Sequence, residues 1–186
     1  MSDHITTEEP KHFVDRFGRS ISYVRISVTD RCNFRCVYCM PEEGVKHLPR
    51  PELLTLEEIT EVVQIFAEHG VDRVRLTGGE PLVREGIPKL VGMLKSIEGI
   101  EEVALTTNAF LLDRHAQSLR SAGLDVLNIS LDSLQKDRFA QITRADHLER
   151  VLRGIDAARI AGFERIKLNA VVIRGFNDDE IVDLVR

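Results

Sequence analysis

The 186-residue sequence contains no long apolar run, no excess of basic residues and few cysteines. Its polar start has no apolar segment of the kind that a signal peptide or membrane span requires, so we expect a cytoplasmic protein without a membrane partner. A formal net charge of −5 argues against a nucleic-acid partner, which needs a basic surface. We therefore expect a globular protein with a flexible arm over residues 1–15 and one core over residues 16–186.

Cysteine is confined to one loop, because Cys32, Cys36 and Cys39 are the only three in the chain. An odd, clustered set does not predict a disulfide framework, and it suggests metal ligation in a reducing compartment. Three thiolates can hold three irons of a cubane cluster and leave the fourth iron open to a ligand. A structural zinc site, the alternative, normally has four Cys or His ligands, and the histidine nearest to the loop is His47. The spacing C-x3-C-x2-C therefore favours an iron–sulfur site.

A repeated pattern predicts parallel strands joined by helices. The segments are GVDRVRL from Gly70, GIEEVAL from Gly99, GLDVLNI from Gly123 and GFERIKL from Gly162. Each glycine follows a helical pattern and is a candidate for the left-handed residue after a helix, and each alternating segment is typical of a strand. With a first strand over residues 23–29, the pattern predicts five parallel strands, each followed by a helix, with right-handed crossovers.

The alternation within these strands predicts a sheet with one polar face. The polar-face positions are Arg25, Ser27, Thr29, Arg75, Thr77, Ala104, Thr106, Asn128, Ser130, Lys167 and Asn169. A doubly wound sheet is apolar on both faces, and a closed eight-stranded barrel usually has an apolar interior. The polar face therefore favours a wide or open (β/α) barrel around a polar ligand. A sheet with one solvated face is the alternative.

Two loops at the predicted carboxyl ends of strands contain recognisable motifs. The first strand leads into SVTDRCNFRCVYCMP, and the second ends in LTGGEP, whose adjacent glycines allow close approach of backbone groups to a ligand. A C-x3-C-x2-C loop followed one strand later by GGE resembles the radical S-adenosylmethionine (SAM) superfamily. The resemblance implies a TIM-barrel-like fold, a [4Fe–4S] cluster on Cys32, Cys36 and Cys39, and SAM on the fourth iron.

Further segments are similar to one family within that superfamily, the molybdenum cofactor biosynthesis protein A family. They are RFGRSISYVRISVTDRCNFRCVYCMP, RLTGGEPLVR, LTTNAFLL, LNISLDSL and KLNAVVIRGFNDDE, in that order. The resemblance implies a lyase that converts GTP to (8S)-3′,8-cyclo-7,8-dihydroguanosine 5′-triphosphate through a 5′-deoxyadenosyl radical. It also implies a reductant such as flavodoxin or ferredoxin and cyclic pyranopterin monophosphate synthase as the next enzyme, and it allows a homodimer.

The resemblance also implies which residues form the site. It assigns SAM contacts to Tyr38, Gly79 and Ser130, and no side chain is assigned as catalytic. It assigns GTP contacts to Arg25, Arg75, Thr106 and Lys167. The alternation of the strands, taken without the family, puts all four of these GTP residues and Ser130 on the polar face. Three cations there need an anionic partner, and a triphosphate would supply one.

The sequence departs from the family pattern in its second half. It ends at Arg186, in what is predicted as the helix after the fifth strand, and no cysteine follows Cys39. The family continues with a second cysteine triplet that holds a second [4Fe–4S] cluster. We therefore expect a partial barrel without its C-terminal part and without the full activity. Two other hypotheses stay open: a radical SAM enzyme that modifies a peptide or another small molecule, and a non-catalytic iron–sulfur or zinc module.

Overall fold

The computed structural model describes residues 12–185, which contain one sheet of five parallel strands. The strands are β1 (Tyr23–Ser27), β2 (Arg73–Thr77), β3 (Glu102–Thr107), β4 (Val126–Ser130) and β5 (Ile166–Asn169). The helices are α1 (Leu56–Glu68), α2 (Ile87–Lys95), α3 (Leu112–Ser121), α4 (Lys136–Thr143), α5 (Leu148–Ile160) and α6 (Ile181–Val185). The predicted alternation of strands and helices is confirmed, and α4 is an element that the sequence pattern did not predict.

The order of the strands distinguishes a barrel-like sheet from a doubly wound one. The order is β1-β2-β3-β4-β5, so each crossover adds the next strand on the same side. A doubly wound sheet reverses its order once and carries helices on both faces. Here α1 packs on α2, α2 on α3, and α3 on α5 in one continuous row. Right-handed crossovers in one direction put the helices on one face, as in the predicted partial (β/α) barrel.

The core lies between this row of helices and the sheet. Its fully buried side chains include Val63, Val74, Leu76, Leu90, Leu94, Val103, Leu105, Leu119, Leu127 and Ile129. On the opposite face of the sheet, Arg25 and Lys167 are exposed, and Arg75, Thr106 and Ser130 are half-buried. The alternation predicted from the sequence is therefore confirmed, because successive strand residues point to opposite faces.

The helix boundaries follow from local sequence signals. Thr55 precedes α1, its hydroxyl accepts a hydrogen bond from the Glu58 amide (3.1 Å), and the Glu58 carboxylate accepts one from the Thr55 amide (2.7 Å). The four predicted glycines have φ angles of 88°, 92°, 93° and 83° in chain order. This left-handed conformation ends a helix and directs the chain into the next strand. No helix in the described range is long and apolar enough to cross a membrane.

The start of the described range contacts the end of the sheet that is remote from the cysteines. The Phe13 ring packs against the rings of Phe66 and His69, with centroid distances of 5.7 and 4.9 Å. Both partners lie at the C-terminal end of α1, just before β2 begins. Residues 1–11 of the predicted arm lie outside the described residues, so the arm and its boundary at residue 15 stay predictions.

Candidate functional site

The cysteine loop begins at the carboxyl end of β1 and is folded by its own hydrogen bonds. Arg35 Nη1 donates to the Cys32 carbonyl at 2.8 Å, and the amides of Cys39 and Met40 donate to the Cys36 carbonyl at 2.9 and 3.0 Å. Cys32 and Cys36 are partly buried, whereas Cys39 is exposed. These hydrogen bonds give the loop a defined shape.

The loop also caps the C-terminal end of α4. The Arg35 amide donates to the Thr143 carbonyl at 3.1 Å, and the Val37 amide donates to the Ile142 carbonyl at 2.9 Å. Arg144 follows the helix with a φ of 54°, and its guanidinium donates to the Arg35 carbonyl at 2.8 Å. The last carbonyls of a helix have no hydrogen-bond partner within the helix. Amides of the cysteine loop supply partners for two of these carbonyls in α4, and the same bonds fix the orientation of the loop.

The chemistry of the donor set is what fits a cluster. Three thiols suit a cubane that leaves one iron open to a further ligand, whereas structural zinc normally takes four Cys or His ligands. In residues 12–185, no group of three or more His, Cys, Asp or Glu side chains is gathered tightly enough to hold a metal ion. The assignment of Cys32, Cys36 and Cys39 as cluster ligands therefore stays a prediction.

Burial makes two of the three thiols weak acids. It raises the pKa of Cys32 and raises that of Cys36 to about 12, and the Asp132 carboxylate adds to the effect on Cys36. Because only the thiolate binds iron, both side chains would have to lose a proton to become ligands. Metal binding by this loop would therefore be coupled to proton release.

The TGGEP turn after β2 lies against the segment that leads into the cysteine loop. The Gly79 amide donates to the Thr29 carbonyl and the Glu80 amide to the Arg31 carbonyl, both at 2.8 Å. A Cβ on Gly78 would collide with the Thr29 carbonyl oxygen, and one on Gly79 with that of Arg31. The glycines are thus required for contact between two backbone segments. The predicted SAM contact of Gly79 stays a prediction.

Replacing Gly79 with alanine is expected to destabilise the chain by about 1–3 kcal/mol, because the added Cβ forces the backbone at Arg31 to move. Gly92→Ala in α2 is the matched control, since its Cβ meets no atom within 4 Å. That change should stabilise the chain by about 1 kcal/mol through higher helix propensity. Urea unfolding of the two variants measures both effects. A Gly79→Ala variant as stable as the parent chain would contradict the close contact.

Glu80 is a buried carboxylate that joins this turn to the end of β3. It is 1% exposed, and its Oε1 accepts hydrogen bonds from the Leu82 amide (3.0 Å) and the Thr107 hydroxyl (2.8 Å). Its Oε2 accepts one from the Asn108 amide at 2.6 Å. Burial raises the pKa of Glu80, and the three hydrogen bonds act in the opposite direction. No role for this side chain was predicted from the sequence, although it is the acidic residue of the GGE motif.

Tyr38 is anchored at its hydroxyl and open at its ring. The hydroxyl donates to Asp132 Oδ2 at 2.6 Å, whereas the whole residue is 47% exposed. Burial and the bond to Asp132 raise the pKa of Tyr38 above its usual value. Ser130 lies two residues before Asp132 at the end of β4, at the same edge of the sheet as the cysteine loop. No role for Asp132 was predicted from the sequence, in which its only signal is its place in the LNISLDSL segment.

The polar face brings the predicted GTP residues next to each other. Arg25 lies opposite Arg75 on adjacent strands, and Thr106, Asn128 and Lys167 are neighbours across β3, β4 and β5. With its side-chain oxygen toward Arg75, Asn128 accepts from Nη2 at 2.9 Å and from Nε at 3.2 Å. Among residues 12–185, no carboxylate forms a salt bridge with Arg25, Arg75 or Lys167. This face therefore attracts anions.

Comparison with known proteins identifies close relatives of about twice this length. The profile of the radical SAM superfamily matches residues 26–186. A GTP 3′,8-cyclase of Pseudomonas entomophila is 55% identical over 179 residues, which cover 96% of this chain and 53% of that protein. GTP 3′,8-cyclase 2 of Pseudomonas aeruginosa is 58% identical over 172 residues, which cover 92% and 52%. The chain thus spans about half the length of the relatives it matches.

Solved structures support the same fold. Streptococcus suis SuiB matches with a TM-score of 0.72 at 20% identity, over 88% of this chain and 36% of SuiB. TYW1 with a lysine–pyruvate adduct bound matches with a TM-score of 0.67 at 17% identity, over 85% and 58%. These likenesses agree with the partial (β/α) barrel derived from the strand order. Since the family profile covers most of the chain, including the cysteine loop and the TGGEP turn, the chain belongs to the radical SAM superfamily.

Proposed function

We propose that this chain is the radical-generating part of a GTP 3′,8-cyclase. Membership of the superfamily implies a [4Fe–4S] cluster and SAM, which when bound supply a 5′-deoxyadenosyl radical that abstracts hydrogen from the substrate. Cys32, Cys36 and Cys39 would hold the cluster. Tyr38, Gly79 and Ser130 would contact SAM at the adjoining ends of the strands.

The observation that supports GTP most directly is the set of three cations on the polar face that form no salt bridge with any carboxylate of residues 12–185. Arg25 and Arg75 lie on adjacent strands, and a guanidinium pairs well with phosphate oxygens through two parallel hydrogen bonds. Asn128 and the Tyr23 ring, whose centroid lies 5.5 Å from the Arg75 guanidinium carbon, hold the Arg75 side chain in place. A peptide substrate, the alternative within this superfamily, does not need three such cations.

These residues would act by binding and orienting the substrate. Lys167 on β5 and Arg25 on β1 lie near opposite edges of the sheet, so an anion contacting both would lie across the polar face. Thr106, between them on β3, offers a hydroxyl for a further hydrogen bond. A substrate held at several points keeps one carbon next to the radical source, and such positioning accounts for much of the catalysis available to a protein.

The cyclisation is proposed for the whole protein, because the chain spans about half the length of its relatives. A second [4Fe–4S] cluster would need cysteines beyond Cys39, which the 186 residues do not contain. We propose that this chain alone binds SAM and GTP but does not complete the cyclisation. The proposal includes a cytoplasmic location, a flavodoxin- or ferredoxin-like reductant, cyclic pyranopterin monophosphate synthase as the next enzyme and a homodimer as an allowed assembly.

Arg25→Ala and Lys167→Ala are each expected to weaken GTP binding about tenfold, because each removes hydrogen bonds to a charged phosphate. Arg165→Ala is the matched control: it lies two residues before Lys167 and pairs with Glu102 at 2.6 Å. Titration of the cluster-loaded chain with GTP, and with inorganic triphosphate as a second ligand, measures the affinities. The proposal would be wrong if the parent chain bound no GTP, or if Arg165→Ala weakened binding as much as the other two.

A further inference from the structure

The bond between Tyr38 and Asp132 connects the cysteine loop to the opposite half of the sheet. The two residues are 94 positions apart in the chain, and their side-chain oxygens are 2.6 Å apart. Asp132 is 3% exposed, so its carboxylate is shielded from water. A hydrogen bond to a charged group is stronger in such a shielded place than in water. Only the hydroxyl end of Tyr38 is used in this contact, and its ring remains available to a ligand.

The Asp132 carboxylate is itself held rigidly. Its second oxygen, Oδ1, accepts a hydrogen bond from the Val171 amide at 2.8 Å, just beyond the end of β5. The Asp132 carbonyl accepts one from Asn177 Nδ2 at 2.7 Å, and that nitrogen also donates to the Val171 carbonyl at 3.0 Å. Asn177 is 1% exposed. The hydroxyl of Tyr38 therefore points at an acceptor that the ends of β4 and β5 keep in one place.

We propose that Asp132 is a positioning residue of the cofactor site, which fixes the plane of the Tyr38 ring against which the adenine of SAM lies. This inference rests on the proposed contact between SAM and Tyr38. In this proposal Asp132 affects SAM binding through Tyr38 and not through a contact of its own. A ring held at its hydroxyl is presented in one orientation, so the ligand does not have to order it on binding.

The role requires a carboxylate. Each oxygen of Asp132 accepts a hydrogen bond from a different donor, the Tyr38 hydroxyl and the Val171 amide. An asparagine at this position has one acceptor oxygen, and its NH2 group would face the other donor. Asp132→Asn therefore keeps the size of the side chain and breaks one of the two contacts. Tyr38→Phe keeps the ring and removes the hydroxyl, and with it the contact with Asp132.

The test compares Asp132→Asn, Tyr38→Phe and the double variant. Asp125→Asn is the matched control. Asp125 Oδ2 also accepts a hydrogen bond from a strand amide, that of Val103 at 2.8 Å, but Asp125 precedes β4 and so lies at the end of the sheet away from Tyr38. The first measurement is SAM affinity of the cluster-loaded chain. The second is NMR of the cluster-free chain with labelled tyrosine, in which Tyr23 and Tyr38 are the only two tyrosines. The Tyr23 ring serves as the internal reference.

Each single variant is expected to weaken SAM binding about tenfold, and the double variant should be no more than about twofold weaker than either. The Tyr38 ring signal should show increased mobility in Asp132→Asn but not in Asp125→Asn. Additive losses, or a SAM affinity unchanged in Asp132→Asn, would overturn the inference. If the parent chain bound no SAM, the proposed function would fail. The NMR signal of the Tyr38 ring would then test the role of Asp132 by itself. A ring as immobile in Asp132→Asn as in the parent chain would overturn the positioning role.

Discussion

Cys36→Ser is expected to abolish assembly of the [4Fe–4S] cluster, with iron content below about a tenth of that of the parent chain after reconstitution. A serine hydroxyl is a harder and far less acidic ligand than a thiol, so only two thiolates would remain to hold the cluster. Cys36 is central in the loop, and its carbonyl accepts the two amides that shape the loop. Iron and sulfide analysis with the visible absorption spectrum measures the loss.

The control for this change is Met40→Leu, which removes a sulfur from the same loop without removing a thiol. Its backbone bonds to Cys36 stay in place, so we expect the iron content of the parent chain. If Cys36→Ser kept a full cluster, the assignment of the three ligands would be wrong. If Met40→Leu lost its iron as well, the effect of Cys36→Ser would reflect damage to the loop and not a lost ligand.

Glu80→Ala is expected to lower the free energy of unfolding by about 3–5 kcal/mol, because several donors lose their acceptor and each costs about 1–3 kcal/mol when left unsatisfied. It removes one acceptor from three donors at once, the Leu82 and Asn108 amides and the Thr107 hydroxyl. Each donor would then be left without a partner in a buried place. Chemical unfolding followed by circular dichroism measures the change.

Glu80→Gln is a milder change that allows the same measurement if the Glu80→Ala chain does not fold. A glutamine can accept at one oxygen only, so we expect an intermediate loss of about 1–3 kcal/mol. The exposed Glu85, five residues later, is the matched control, and Glu85→Ala should change the stability by less than about 0.5 kcal/mol. Equal stabilities for Glu80→Ala and Glu85→Ala would contradict the role of Glu80 as a buried link.

The side of the sheet on which a residue lies could be predicted from the sequence, whereas its partner could not. Arg25, Arg75 and Lys167 were assigned to the polar face because side chains alternate along every strand with a period of two. The Tyr38–Asp132 bond joins residues 94 positions apart, and no local pattern predicts it. Similarly, α4 has only eight residues, KDRFAQIT, which is too short for a clear apolar stripe.

The neighbour of the two glycines in TGGEP could not be predicted from the sequence. Two adjacent glycines predict that backbone groups approach a ligand closely, and the structure shows a close approach to another backbone segment. The neighbour in the described structure is the backbone at Thr29 and Arg31, and no pattern in the sequence distinguishes this neighbour from a ligand. For a similar reason no role could be predicted for Glu80: only the Leu82 amide is a local donor, and the Thr107 hydroxyl and the Asn108 amide lie at the end of the next strand.

The sequence by itself determined the elements and their chemistry: three cysteines in one loop, strands with one polar face, and glycines at the helix ends. These features depend on spacing along the chain, which backbone geometry converts directly into faces and turns. Only the tertiary structure decided how the loop is supported, because α4, Asp132 and Glu80 reach their partners through contacts between distant segments. The few cysteines that the chain contains thus lie on a loop that the ends of the strands and of α4 hold in place.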